Sequence, residues 1–231
     1  MNADKFNLVF KFQDPINRLH SELQPVFFVG KIGQRPFVLI SLNPGKSTAI
    51  EIELYKKLGW KKTYLSFFEW FSQTSPYYSY FAVFLSGLVG KPISPPGQES
   101  KYRLFRLLSQ NLVNLDLIPY HSTGISLEFQ SNKQMKFKLI ESYLRNLEDL
   151  VKLCNPKVLF IKGAVWQHLL NEIGFDTKTR ERVNSRLTAH IGECFSRKAV
   201  WFDKFMSDKA SGASYEQLFE AGHKIRAHCE L

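Results

Sequence analysis

Short apolar runs bounded by turn formers recur along the chain and suggest its architecture. Residues 36-PFVLISLNPG-45 and 156-PKVLFIKG-163 each hold four consecutive apolar side chains between a proline and a glycine. A strand buried on both faces reads in this way. A third stretch, 111-NLVNLDLIPYHS-122, is more mixed but has the same form and stops at Pro119. Between the last two, the apolar positions 139, 140, 144, 147, 150, 151 and 153 of 138-KLIESYLRNLEDLVKLC-154 recur with helical period. Strand, helix, strand in this order predicts an α/β protein whose parallel sheet is covered by helices on both faces.

Elsewhere the pattern is more specific to position. The segment 60-WKKTYLSFFEWFSQTSPYYSYFAVF-84 concentrates aromatic residues, which either pack inward or offer a stacking surface for bases. A Gly, Pro and Ser-rich loop is expected over 85-LSGLVGKPISPPGQES-100, and 178-KTRERVNSR-186 is a basic stretch with helical propensity that either lies along phosphates or forms a solvated face. Ser214 followed by Gln217 forms a capping-box pattern, so a helix should start near Tyr215 and run toward His228. That places 210-ASGAS-214 in a tight loop before the helix, with backbone N–H groups directed at a phosphate or sugar.

A length of 231 residues with 44% hydrophobic content suits a single domain over 1–231. Thirty-one Lys and Arg against 21 Asp and Glu give a net charge of +10, which favours a polyanionic partner, nucleic acid first. No apolar segment approaches the roughly 18 residues of a membrane span, and 1-MNADKFNLVFKFQD-14 has neither a basic start nor a cleavage site. A cytoplasmic protein is expected. Cys154, Cys194 and Cys229 are too few for a disulfide framework or a four-cysteine metal site, and reduced thiols are expected. His121, His168, His190, His223 and His228 are too dispersed to suggest a metal centre.

The letters Gly45-Lys46-Ser47-Thr48 after an apolar run invite comparison with a phosphate-binding loop. Such a loop needs glycine five positions before its second glycine, where this chain has Ile40, and Pro44 removes an N–H from the cradle. Asp116 is the only approximation to a magnesium-binding strand-end carboxylate. No Gly-x-Gly-x-x-Gly follows the first strand, and no Gly-x-Ser-x-Gly marks a nucleophile.

Cut instead as 41-SLNPG-45, the same residues are the first of four ordered motifs. The others are 114-NLDLIPYHS-122, 157-KVLFIKGAVWQHL-169 and 209-KASGAS-214. Together they resemble the uracil-DNA glycosylase superfamily, closest in style to the mismatch-type uracil and thymine glycosylases. The first motif is similar to their Gly-Ile-Asn-Pro-Gly, with Ser41 in place of the opening glycine. The last is similar to Asn-Pro-Ser-Gly-Leu-Ser, with Lys209 and Ala210 at its start.

The resemblance implies a three-layer α/β/α fold around a mostly parallel four-stranded sheet. It implies a monomeric DNA N-glycosylase acting on double-stranded DNA that contains a modified base, with no cofactor, since the iron-sulfur branches use four cysteines. Asn43 would position the attacking water, and His121 is a candidate acid or base. Asn114 would read the edge of a flipped pyrimidine, with Asp116 and Tyr120 lining the pocket and Tyr64, Phe67 or Tyr55 stacking on the base. Pro44, Gly45, Lys46, Ser47, Lys209, Ser211, Gly212 and Ser214 would contact DNA. The substrate expectations are uracil or a mismatched pyrimidine, or a hypermodified phage cytosine in anti-phage defence. The other readings kept open are a catalytically silent nucleic-acid-binding protein of this fold and a nucleotide hydrolase.

Overall fold

A computed structural model describes residues 28–33, 35–42, 53, 57, 67–70, 76–92, 98–117, 133–204, 206 and 211–231. The three apolar runs are strands, buried along their whole length: β2 (Phe37–Ser41), β3 (Leu112–Asp116) and β4 (Val158–Lys162). β2 lies in the middle, parallel to both neighbours, with Leu39 opposite Asn114 and Phe160. Continuous apolar sequence is what such a position requires, because helices cover both faces.

The sheet is larger than the four strands expected. β1 (Phe28–Val29) adds antiparallel to β3, and β7 (Arg197–Phe202) adds parallel to β4. β6 (Thr188–Cys194) and β5 (Asp176–Arg182) continue antiparallel beyond β7. The result is a seven-stranded mixed sheet of order β1-β3-β2-β4-β7-β6-β5, with a parallel centre. The basic stretch expected to be helical is therefore the end of β5 and its turn into β6. Backbone pairing with β6 overrides a propensity worth only tenths of a kcal/mol per residue.

Alternation along the strands divides the core in two. On one face Leu39, Leu112, Phe160, Val200 and Phe202 meet helices α1 (Pro76–Leu88), α2 (Gln98–Asn111) and α4 (Tyr215–Cys229). On the other, Ile40, Leu115, Ile161 and Trp201 meet α3 (Lys133–Cys154) through Tyr143, Leu147, Leu150, Val151 and Cys154. Leu153, counted on that helical face in the sequence, is instead exposed, because Cys154 completes the buried stripe at positions 143, 147, 150 and 151.

The aromatic segment packs inward where it is described. Phe160 is ringed by Phe37, Phe81, Phe84 and Phe202 at centroid distances of 5.9, 5.4, 5.5 and 6.5 Å. Of the loop expected over 85–100, residues 85–88 belong instead to α1 and residues 98–100 to α2.

Two glycines bring α1 and α4 together backbone to backbone. A methyl group on Gly222 would stand 2.1 Å from the Phe84 carbonyl oxygen, and one on Gly87 would stand 2.0 Å from that of Phe219. Only glycine fits either place. The capping box of α4 forms as the sequence predicts: the Gln217 N–H donates to Ser214 Oγ at 3.2 Å, and the Ser214 N–H donates to Gln217 Oε1 at 3.0 Å. Cys154, Cys194 and Cys229 are buried free thiols whose pKa values burial raises to about 11, 12 and 11. No helix among the described residues is long and apolar enough to cross a membrane.

Candidate functional site

From β2 the chain crosses to β3 on one side and later to β4 on the other, so the strand order reverses at β2. Open α/β sheets bind ligands beyond the carboxyl ends of strands at such a point. Here the apolar strands end in polar residues. Ser41 closes β2, Asp116 closes β3 with Asn114 two residues before it, and Lys162 closes β4.

These side chains share the sheet face that packs on α1, α2 and α4. Leu39 and Ser41, Leu112 through Asn114 to Asp116, and Phe160 and Lys162 each alternate onto it. Ser41 lies opposite Asp116 in register, and Ile40 opposite Ile161, one residue before Lys162. Of the six buried polar or charged side chains among the described residues, four are in this group: Ser41 8%, Asn114 1%, Asp116 5% and Lys162 2% exposed.

Buried polar groups need partners, and Ser41, Asn114 and Asp116 are paired with one another. Ser41 Oγ donates to Asn114 Oδ1 at 2.8 Å, and Asn114 Nδ2 donates to Asp116 Oδ2 at 3.1 Å. The chain fixes the orientation of the Asn114 amide, leaving it a second N–H and a second lone pair. Burial raises the Asp116 pKa to about 8, partly offset by the Asn114 hydrogen bond. At neutral pH the carboxyl is therefore mostly protonated and can donate a hydrogen bond. Burial also lowers the Lys162 pKa well below that of a solvated lysine, and Nζ stands 5.8 Å from the centre of the Phe81 ring.

Backbone geometry holds Lys162 in place. Gly163 has φ of 113°, donates its N–H to the Phe202 carbonyl at 3.0 Å and accepts from Trp201 Nε1 at 3.2 Å. The chain then turns into a 3₁₀ helix, Ala164–His168.

The structure thus brings two of the expected site residues, Asn114 and Asp116, together with Ser41. Asn43, Pro44, Gly45, Lys46, Ser47, Tyr55, Tyr64, Tyr120, His121 and Lys209 lie outside the described residues. The Leu117 N–H donates to the Ser41 carbonyl at 3.0 Å, so the chain leaves β2 and β3 side by side at this edge.

Phe67 is a core residue, edge-on to Phe68 and Tyr78 at 5.6 Å from each. Just before α4, the helical Ser211 is fully buried, while Gly212 and Ser214 of the turn that follows it are exposed. Gly212 has φ of 63°, the Ala213 N–H donates to Ser211 Oγ at 3.4 Å, and Asn184 Nδ2 donates to the Ser211 carbonyl at 3.0 Å. Tyr215, first in the helix, stacks on Tyr80 with centroids 5.0 Å apart.

Sequence reasoning missed Lys162 as a site residue. The available signal was a lysine ending the otherwise apolar run VLFIKG, where a long charged side chain has no obvious route to water. Ile40, at the position a phosphate loop gives to glycine, is a fully buried strand residue paired with Leu115 and Ile161. Among the described residues no group of three or more His, Cys, Asp or Glu side chains is placed to hold a metal ion. No family model matches the chain, and no curated protein matches it.

Proposed function

We propose that the protein is a monofunctional DNA N-glycosylase of the uracil-DNA glycosylase type, which flips a modified or damaged pyrimidine out of the duplex and hydrolyses its bond to deoxyribose. The observation that carries this reading is the buried row Ser41, Asn114, Asp116 and Lys162 at the carboxyl edge of the parallel strands, where strand order reverses. The net charge of +10 adds attraction for DNA. In this reading the fold is the three-layer arrangement of that superfamily, enlarged at one edge by β5 and β6, and the protein works as a cytoplasmic monomer.

Hydrolysis breaks the C1′–N bond as water adds to C1′. The electron pair goes to the base nitrogen, and the proton released by water ends on the base or a nearby acceptor. Positive charge builds on the sugar and negative charge on the base, so donors around the base lower the barrier. The Asn114 amide, oriented by Ser41 and Asp116, presents a donor and an acceptor to a pyrimidine edge. The protonated Asp116, bonded to Asn114, and the Lys162 amine at the end of β4 are further donors in the same buried row. Asn43 follows Leu42 directly in the chain, and its assigned task is to hold the water.

Duplex oligonucleotides with single uracil, mismatched thymine, 5-hydroxymethylcytosine or glucosylated 5-hydroxymethylcytosine, incubated with the protein and cleaved by alkali, test this reading. Strand cleavage at one modified base is expected, and its identity separates repair from anti-phage defence. Binding without cleavage across the panel would favour a silent nucleic-acid-binding protein, to which the mutual pairing of Ser41, Asn114 and Asp116 is equally suited.

A further inference from the structure

The turn between β5 and β6 is built around one side chain. Asn184 Oδ1 accepts the N–H groups of Arg186 and Leu187, both at 2.8 Å, and its Nδ2 donates to the Ser211 carbonyl at 3.0 Å. Arg182 Nε donates to the Asn184 carbonyl at 3.2 Å, and the Val183 N–H donates to the Leu187 carbonyl at 3.0 Å. One asparagine therefore shapes the turn and ties it to the loop that precedes α4.

The register places this turn at the functional edge of the sheet. Arg182 lies opposite Thr188, and Ala189 lies opposite Phe202, the residue paired with Lys162. Strand alternation and the turn leave Arg182 and Arg186 exposed at this edge, and neither forms an ion pair among the described residues. The neighbouring carboxylates are engaged: Glu181 pairs with Lys224, and Asp203 Oδ1 accepts from the Thr188 N–H. A glycosidic site needs no rigid basic turn for the bond cleavage itself, yet the chain holds two guanidinium groups at the same edge of the sheet.

We propose that the Arg182–Leu187 turn is a phosphate clamp for duplex DNA, gripping the backbone some base pairs away from the base held at the strand ends, along the same edge of the sheet. The proposal rests on the DNA-directed reading above. Arginine suits the task because its planar donors match phosphate oxygens, and a preorganised turn loses little freedom on binding.

The test measures affinity for an unmodified duplex by fluorescence anisotropy across a salt series. Arg182→Ala with Arg186→Ala should weaken binding about tenfold near 0.1 M salt and reduce the slope of log affinity against log salt by about two. Asn184→Ala keeps both arginines but frees the turn, and should also weaken binding. Lys152→Ala with Lys157→Ala removes the same charge away from the turn and should leave affinity within about twofold.

Equal losses from both double variants would overturn the clamp, since attraction would then follow net charge alone. Unchanged affinity and slope in Arg182→Ala with Arg186→Ala would overturn it while leaving any excision by the wild type intact. A turn-dependent salt slope in a protein that excises none of the modified bases would uphold the clamp and remove the glycosylase reading instead.

Discussion

Asn114 and Asp116, two residues apart on β3, are joined side chain to side chain at 3.1 Å, with Ser41 of the neighbouring strand holding the other end of the amide at 2.8 Å. Asn114→Ala removes the middle of this chain and leaves buried polar atoms with fewer partners. The variant should lose about 1–3 kcal/mol of stability in urea unfolding and lose excision as well. A variant as stable as the wild type would show that water or other groups replace the amide at no cost.

Asp116 makes stability depend on pH in an unusual direction. Its folded pKa is about 8 against an ordinary 3.8, so the folded state holds a proton that the unfolded state releases between these values. Its contribution is greatest below pH 3.8 and declines as pH rises through this window, by up to about 1.4 kcal/mol per pH unit. Asp116→Asn removes the decline. The stability of the variant relative to wild type should rise steadily from pH 5 to pH 8 in thermal or urea unfolding.

Lys162 slopes the other way. Its folded pKa is lowered by burial, so the unfolded state binds the proton more readily, and the resulting penalty shrinks as pH rises toward 10.5. Lys162→Met keeps the bulk and removes the amine. The stability gained by the substitution should be larger at pH 6 than at pH 9, and a gain independent of pH would mean that the amine stays charged in the fold.

Helix propensity favours alanine over glycine by about 1 kcal/mol, so Gly222→Ala in α4 would ordinarily stabilise. Here the added methyl meets a carbonyl oxygen at 2.1 Å, and the helices have to separate to admit it. A net loss of about 1–3 kcal/mol is expected in urea unfolding.

Under the proposed glycosylase reading, Asn43→Ala separates binding from chemistry. Affinity for duplex DNA should remain while excision falls by two orders of magnitude or more, on the order expected when a positioned reactant is lost. Lys46→Ala and Lys209→Ala should instead weaken binding and lower its salt slope by about one each. Full excision by Asn43→Ala would place the attacking water elsewhere.

β2 and β4 were legible because burial on both faces makes their first four positions, Phe37–Ile40 and Val158–Ile161, continuously apolar. The start of α4 was legible because Ser214 and Gln217 act locally, within one turn. β5 was not. Its sequence DTKTRER has no apolar residue, and its strand form depends on pairing with β6 rather than on its own side chains.

The site was half legible for a related reason. Asn114 and Asp116 stood out as polar residues in a buried strand, whereas the part played by Ser41 depends on parallel register across 73 residues of sequence, which no local pattern encodes. Lys162 needed the same information. Its burial follows from the covering of β4 by α1, including Phe81, and that contact is tertiary.

The contact of α1 with α4 through Gly87 and Gly222 also has a mechanical side. Helices that touch main chain to main chain interlock and cannot slide or roll over one another without losing the fit. The loop of Gly212 and Ser214 therefore sits on a fixed mount, as does the aromatic cluster behind Lys162. A hinge in this protein would therefore lie outside the α1–α4 pair.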